Sequence, residues 1–201
     1  QQFAVVLLTS HIYIYKNTNM STVKTKWGID PVHTEISFKV KHLMVTNVKG
    51  VFKEYDASIY TAGDDFTTAE VDFWMNPASI STGDEKRDGH LKSPDFFDVE
   101  NHKEITFRAN TIENVDEDGS YELWGDLTIK GIPKRIKLDV EFGGVIKDPW
   151  GNERAGLTLN GKINRKDWGL NWNTALEAGG VLVGESINIS CEVELVKQAE
   201  G

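Results

Sequence analysis

Ile136-Lys137-Leu138-Asp139-Val140-Glu141-Phe142 places an apolar residue at every second position and a charged one between each pair. In an extended chain successive side chains point to opposite faces, so this period predicts a strand with one buried and one wet face. Working outward, the pattern recurs at Tyr121, Leu123, Leu127 and Ile129, at Ile105 and Phe107, and at Ala69, Val71, Phe73 and Met75. It recurs again at Ile36, Phe38 and Val40, at Ala155, Leu157, Leu159 and Ile163, and at Ile187, Ile189, Cys191, Val193 and Leu195. With residues 51–60 these stretches predict about eight strands, and residues 27–29 would add a ninth.

One apolar face per strand, with short turns such as Asp118-Gly119 and Gly131-Ile132-Pro133 between them, predicts antiparallel meandering strands. A parallel sheet covered by helices would show continuous apolar runs instead. The expected class is all-β, with two solutions for the apolar face: a sandwich of two sheets, or a sheet closed on itself. Eight strands closed into a barrel leave room for one small ligand. Two stretches break the alternation. Residues 83–99 read as a short helix and loop crossing one mouth of such a barrel, and residues 169–184, rich in Asn, Gly and Ala, read as a long loop.

The length of 201 residues suits one domain, expected over residues 20–201, and 39% hydrophobic against 26% charged residues places the chain among globular proteins. Met20-Ser21-Thr22 reads as a natural start, so residues 1–19 are expected to be a non-native or disordered leader. Their apolar run at residues 3–8 lacks the basic flank and small-residue cleavage site of a secretory signal and is too short to span a bilayer. A formal charge of -9 sets the summed field against phosphate backbones, which argues against nucleic acid, and against anionic membrane surfaces. The lone Cys191, between Ile189 and Val193 at strand spacing, reads as a buried inert thiol.

His33, His42, His90 and His102 are spaced by 9, 48 and 12 residues and match no compact zinc pattern, so no metal is expected. Nucleophile-elbow, dinucleotide and P-loop glycine motifs are absent, and neither a cofactor nor a catalytic set is expected. His90 stands out among the histidines because Arg87-Asp88-Gly89-His90-Leu91 gathers a cation, an anion and a titratable group. Phe96 and Phe97 lie between Asp95 and Asp98, and Trp168 and Trp172 flank Gly169-Leu170-Asn171. Both aromatic pairs suit plugs at a barrel end or contacts lining a ligand cavity.

Six ordered stretches resemble the YceI-like family of lipid-binding proteins. They are Asp30-x-x-His33-Thr34-x-Ile36-x-Phe38-x-Val40-Lys41-His42-x-Met44; Val48-x-Gly50-x-Phe52; and Arg87-Asp88-x-His90-Leu91-Lys92-Ser93-x-Asp95-Phe96-Phe97-Asp98-Val99. The others are Gly125-Asp126-Leu127-Thr128-Ile129-Lys130-Gly131; Ile163-Asn164-Arg165-Lys166-Asp167-Trp168-Gly169-Leu170; and Val183-Gly184-Glu185-x-Ile187. Together they span residues 27–197. The resemblance implies an extended, lipocalin-like, eight-stranded antiparallel β-barrel with a long apolar pore for a polyisoprenoid, an isoprenoid quinone precursor or a fatty acyl compound. It also implies isoprenoid transport or storage without catalysis. Many bacterial relatives carry a signal peptide and work in the periplasm. The stretch from Met20 shows none, so the cytoplasm is expected, with the periplasm as the alternative. No transmembrane segment is expected, and a homodimer stays open.

Given that pore, Phe38, Val40, Phe73, Met75, Phe107, Leu123, Leu127, Leu157, Leu159 and Ile189 are its expected liners. Met44, Leu91, Phe96, Phe97, Trp168 and Trp172 would form the mouth. Arg87, His90, Arg165 and Asp167 would meet a polar head by charge-assisted hydrogen bonds. Alternatively, Arg165 and Asp167 pair with Asp88 or Asp95 and pin the loops. Two rival functions stay open: an enzyme using His42 or His90 as general base on a hydrophobic substrate inside the barrel, and an interaction module whose barrel is filled by its own side chains.

Overall fold

Each alternating stretch becomes a strand. The computed structural model describes residues 24–177 and 179–199. The leader expected at residues 1–19 and the start at Met20 lie outside the described residues. The strands are β1 (Lys24–Ile29), β2 (Glu35–His42), β3 (Thr46–Phe52), β4 (Tyr55–Ala62), β5 (Asp65–Met75), β6 (Ile80–Ser81), β7 (Ile105–Glu113), β8 (Ser120–Ile129), β9 (Ile132–Lys147), β10 (Glu153–Asn164) and β11 (Val183–Lys197). The single α-helix among the described residues, α1 (Glu85–Lys92), follows β6. It is far too short to cross a membrane.

The ladder runs β1-β4-β5-β7-β8-β9-β10-β11, every pair antiparallel, and β11 returns to β1. This closes the expected eight-stranded barrel. The larger number of strands has a simple cause: three of the barrel's staves are broken, into β1 and β2, β3 and β4, and β5 and the short β6, which pairs with β3. β1 pairs with the C-terminal end of β11 through Trp27↔Lys197 and Ile29↔Leu195, whereas β2 pairs with its earlier part through Phe38↔Ile189 and Ile36↔Cys191. Pro31, which has no N–H to give a ladder, lies in the gap. The partner stave breaks in the same way, β3 against β2 and β4 against β1, so the stretch expected as one strand at residues 51–60 divides at Lys53 and Glu54.

Closure needs bending. β9, 16 residues long, bulges where Ala155↔Val145 is followed by Leu157↔Phe142, so that Gly143 and Gly144 stand opposite Gly156 alone. Gly144 sits at φ 95°, a conformation open to glycine at little cost.

The two ends differ. At one end Trp27 is fully buried, donates from Nε1 to Thr61 Oγ1 at 2.9 Å and packs on Phe66 with centroids 5.1 Å apart; Phe66 in turn packs on Phe142 at 4.8 Å. These rings close the floor. The other end carries the β2–β3 hairpin, α1 with its following loop, and the long β10–β11 connection.

Outside the wall, Arg154 ties four segments together. Its Nε donates to Asp148 Oδ2 at 2.7 Å and its Nη1 to Asp30 Oδ2 at 2.6 Å, and it also bonds Glu194. Asp30 holds the start of the β1–β2 break, and hydrogen bonds from His33 and Arg154 pull its carboxyl down to about 2. A depressed folded-state pKa contributes stability that is present above the unfolded value of roughly 4 and is lost as pH falls through the folded value. Thermal melts should therefore show a wild-type Tm that drops between about pH 4 and pH 2. Asp30→Asn, less stable at neutral pH, should show a flatter profile in that window. An Asp30→Asn profile as steep as wild type would remove Asp30 from the account.

Candidate functional site

The inward faces of the staves surround a cavity of about 240 Å³. That exceeds the roughly 150 Å³ apolar cavity that accommodates a benzene ring. It reaches from Leu195, Phe66 and Ala57 above the floor to Leu91, Phe96, Phe97 and Leu170 at the far end. Along β11 it is lined by Val183 and then by Ile187, Ile189, Cys191, Val193 and Leu195, the second run covering eight residue steps or about 27 Å of strand. The shape is a channel.

Why the lumen stays hollow can be read from three inward glycines. A Cβ on Gly50 would lie 2.4 Å from Phe38 Cζ, one on Gly125 2.6 Å from Phe107 Cζ, and one on Gly161 2.5 Å from Leu138 Cδ2. Phe38 is directly opposite Gly50 in the ladder and Leu138 opposite Gly161, while Phe107 is opposite Leu127, two positions from Gly125 on the same face. Each large side chain therefore lies along the wall, over a neighbour that has no side chain. The lumen is left open.

All ten expected liners, Phe38, Val40, Phe73, Met75, Phe107, Leu123, Leu127, Leu157, Leu159 and Ile189, face this cavity. Of the expected mouth residues, Leu91, Phe96 and Phe97 line it; Met44, Trp168 and Trp172 do not. Met44 stands at the exposed tip of the β2–β3 hairpin. Trp168 is buried in the short 3-10 turn Arg165–Trp168, with Nε1 donating to the Leu127 carbonyl at 3.1 Å. Trp172 packs edge-on against His90, centroids 4.6 Å apart, and lies 5.5 Å from Phe96. That trio joins the loop after α1 to the β10–β11 connection, the two segments expected to meet at the mouth.

The charged set divides. Arg165 lines the cavity and is 3% exposed. In place of the acids that the alternative reading gave it, it bonds backbone: Nε donates to the Gly184 carbonyl at 2.9 Å, Nη1 to that of Leu170, and Nη2 to that of Val183 at 3.4 Å. Burial pulls its pKa below the ordinary guanidinium value. It is the one ionised side chain lining the cavity among the described residues.

Arg87 is turned to the corner before α1, with Nε donating to Thr82 Oγ1 at 2.7 Å and Nη2 to the Thr82 carbonyl at 3.0 Å, and does not reach the cavity. Asp167 lies outside the barrel, on an open depression between β8, β9 and β10 that also presents Lys134, Arg135, Lys137 and Lys162. His42 follows Val40 on the same face of β2 at the rim, beyond the lining. His90 Nε2 lies 2.9 Å from Asp95 Oδ2 at the mouth. Cys191 does line the lumen, where burial pushes its thiol up to about 11 and keeps it protonated. Tyr121, likewise buried on the lining, is pushed up to about 12.

Asp30, His33 and Glu194 bring three donor groups within 4.8 Å of one another, as a metal triad would. Arg154, bonded to both carboxylates, already supplies the positive charge at that place.

The chain matches the YceI-like domain over residues 27–195. A UPF0312 protein of Staphylococcus epidermidis is 41% identical over 171 residues, 85% of this chain and 96% of that protein. The crystal structure of a Campylobacter jejuni YCEI protein superposes with a TM-score of 0.64 at 34% identity, over 86% of this chain and 97% of that one. A polyisoprenoid binding domain from Saccharophagus degradans shares the fold at 14% identity and a TM-score of 0.63, over 86% of this chain and 98% of that domain. With its closed antiparallel barrel and this match over most of its length, the chain belongs to the YceI-like family.

Proposed function

We propose that the protein binds one long-chain lipid in the barrel, a polyisoprenoid, isoprenoid quinone precursor or fatty acyl compound, and carries or stores it without altering it. The observation that carries this reading is the closed apolar channel, lined from floor to mouth and carrying one buried cation near its upper end. Each methylene that leaves water for such a lumen gains roughly 0.8 kcal/mol before ordering costs are subtracted, so affinity should grow with chain length more than with head-group chemistry. The polyisoprenoid binding domain from Saccharophagus degradans, which has the same fold, supports the choice of ligand class.

A non-enzymatic role fits the placement of the titratable groups. His42 and His90 stand outside the lining, and among the described residues the lumen's own ionisable groups are a buried guanidinium, a protonated thiol and a protonated phenol. None is a base near neutral pH.

Native mass spectrometry of freshly purified protein, followed by extraction and mass identification, is expected to find one lipid per chain with its mass unchanged after prolonged incubation. A bare protein that takes up neither polyprenyl nor acyl compounds would refute the carrier reading and leave an interaction module. Conversion of the bound lipid would make the His90–Asp95 pair at the mouth the first residues to test as an acid–base unit.

A further inference from the structure

The β2–β3 hairpin stands out in both charge and backbone. Residues 35–52 contain three lysines, Lys39, Lys41 and Lys49, against one acid, Glu35, in a chain with 31 Asp and Glu against 22 Lys and Arg. At its tip Leu43, Met44 and Val45 are exposed, Met44 by 55% and Val45 by 75%. The Val45 N–H closes the turn on the His42 carbonyl at 3.2 Å, and both central residues have positive φ, Leu43 at 50° and Met44 at 60°. A turn of that hand is ordinarily made by Asn-Gly, because bulky residues resist positive φ. Here two large apolar side chains take up the strained backbone and are displayed to solvent. Turn stability does not account for that choice.

The tip stands at the cavity's mouth. Leu43 N–H donates to the Leu182 carbonyl at 2.9 Å, one residue before the cavity-lining Val183, and the Met44 side chain packs beside Gly180. Lys41 and Lys39 are exposed on the hairpin's outer face, two and four residues back from Leu43, about 7 and 13 Å along the strand. Lys49 is opposite Lys39 in the ladder, and bonds Glu35 at 2.7 Å; Lys39 and Lys41 have no ion pair among the described residues. An apolar tip with cations set about 7 and 13 Å behind it matches the depth profile of an anionic bilayer, hydrocarbon under a layer of negative head groups. The chain's net charge of -9 opposes this only at long range. At physiological ionic strength fields decay over about 8 Å, so the charge nearest the surface decides.

We infer that the β2–β3 hairpin docks the barrel on anionic lipid bilayers, inserting Leu43, Met44 and Val45 and holding head groups with Lys39 and Lys41. Docking would set the mouth against a source or acceptor of lipid. It does not depend on what the cavity holds.

The full chain should co-sediment with equimolar phosphatidylglycerol–phosphatidylcholine vesicles, weakly with phosphatidylcholine alone, and less as salt rises. Leu43→Asn with Met44→Gly should weaken sedimentation on the order of tenfold or more, since most of the inserted apolar surface is gone. The same pair should raise Tm, because Asn-Gly suits the turn. A tip kept only for structure would lose Tm when replaced. Lys39→Glu with Lys41→Glu should abolish the preference for anionic vesicles. Native mass spectrometry on the same samples should find cavity lipid unchanged in all variants, which separates a failure of docking from a failure of the carrier reading. Wild type left in the supernatant, equal sedimentation with neutral vesicles, or a turn variant that sediments like wild type would each overturn the inference.

Discussion

Leu159→Arg is expected to empty the cavity. Leu159 lies midway along β10, opposite Val140 on one neighbouring strand and Cys191 on the other, and all three line the lumen. The end of β10 at Asn164 is five residues away, about 16 Å of strand, so a guanidinium at this site has no short route to water. Among the described residues no carboxylate lines the cavity to receive it. Keeping such a charge beside a hydrocarbon chain costs several kcal/mol, and each 1.4 kcal/mol is tenfold in affinity, so retention should fall by roughly a hundredfold or more. Leu159→Met, close in volume, should keep the ligand. Occupancy is read by native mass spectrometry. Circular dichroism and Tm separate a folded empty barrel from an unfolded chain, and Leu127→Arg is a second site should the first fail to fold. A folded Leu159→Arg protein with a full complement of lipid would show that the ligand lies elsewhere.

The strands and the ten inward positions were legible in the sequence because period two is a local signal, written in each stretch on its own. The break of the first two staves was less visible. Residues 51–60 read as one run, although the chain turns aside at Lys53 and Glu54 so that β3 can follow β2 while β4 follows β1. That choice depends on how far β11 reaches, which no local pattern records. Alternation alone could not distinguish a filled barrel from a hollow one. A signal was nevertheless present: Gly50, Gly125 and Gly161 each occupy an inward register position inside an otherwise alternating strand, where a glycine weakens the strand unless a neighbour needs the space.

The charged residues were hardest to place from sequence. The sequence pairs Arg87 with a ligand head group, and Arg165 with a head group or with acids, because side-chain charges can be seen in a sequence and backbone carbonyls aimed at one point cannot. Both guanidiniums bond to carbonyls, Arg87 to that of Thr82 and Arg165 to those of Gly184, Leu170 and Val183. The Arg154 cluster is hidden from the sequence for a related reason. Its partners Asp30, Asp148 and Glu194 are far apart in the chain and converge only through barrel closure.

Arg165→Met should be the most destabilising single change at the mouth. The guanidinium is the shared donor for carbonyls on both sides of the β10–β11 connection, Leu170 where it leaves the 3-10 turn, Val183 and Gly184 where it enters β11. Methionine fills much of the volume but donates nothing, leaving the Gly184 and Leu170 carbonyls unsatisfied at about 1–3 kcal/mol each, while that of Val183 keeps the Asn173 amide at 2.7 Å. Relief from desolvating the charge offsets part of that, for a net loss of about 3 kcal/mol. In a chain of this size that lowers Tm by roughly 6–12 °C. Arg165→Lys, with one compact ammonium in place of the fork, should recover only part of the loss. Leu170 and Val183 also line the cavity, so the loosened connection should release lipid faster even at temperatures where the barrel remains folded. Because a guanidinium stays protonated across the accessible range even when burial lowers its pKa, the Arg165 defect should be as large at pH 4 as at pH 7. The Asp30 contribution, by contrast, fades below about pH 4. A Tm unchanged by Arg165→Met would mean that the Gly184 and Leu170 carbonyls find other donors, and that the connection is held by the packing of Trp168 and Trp172 instead.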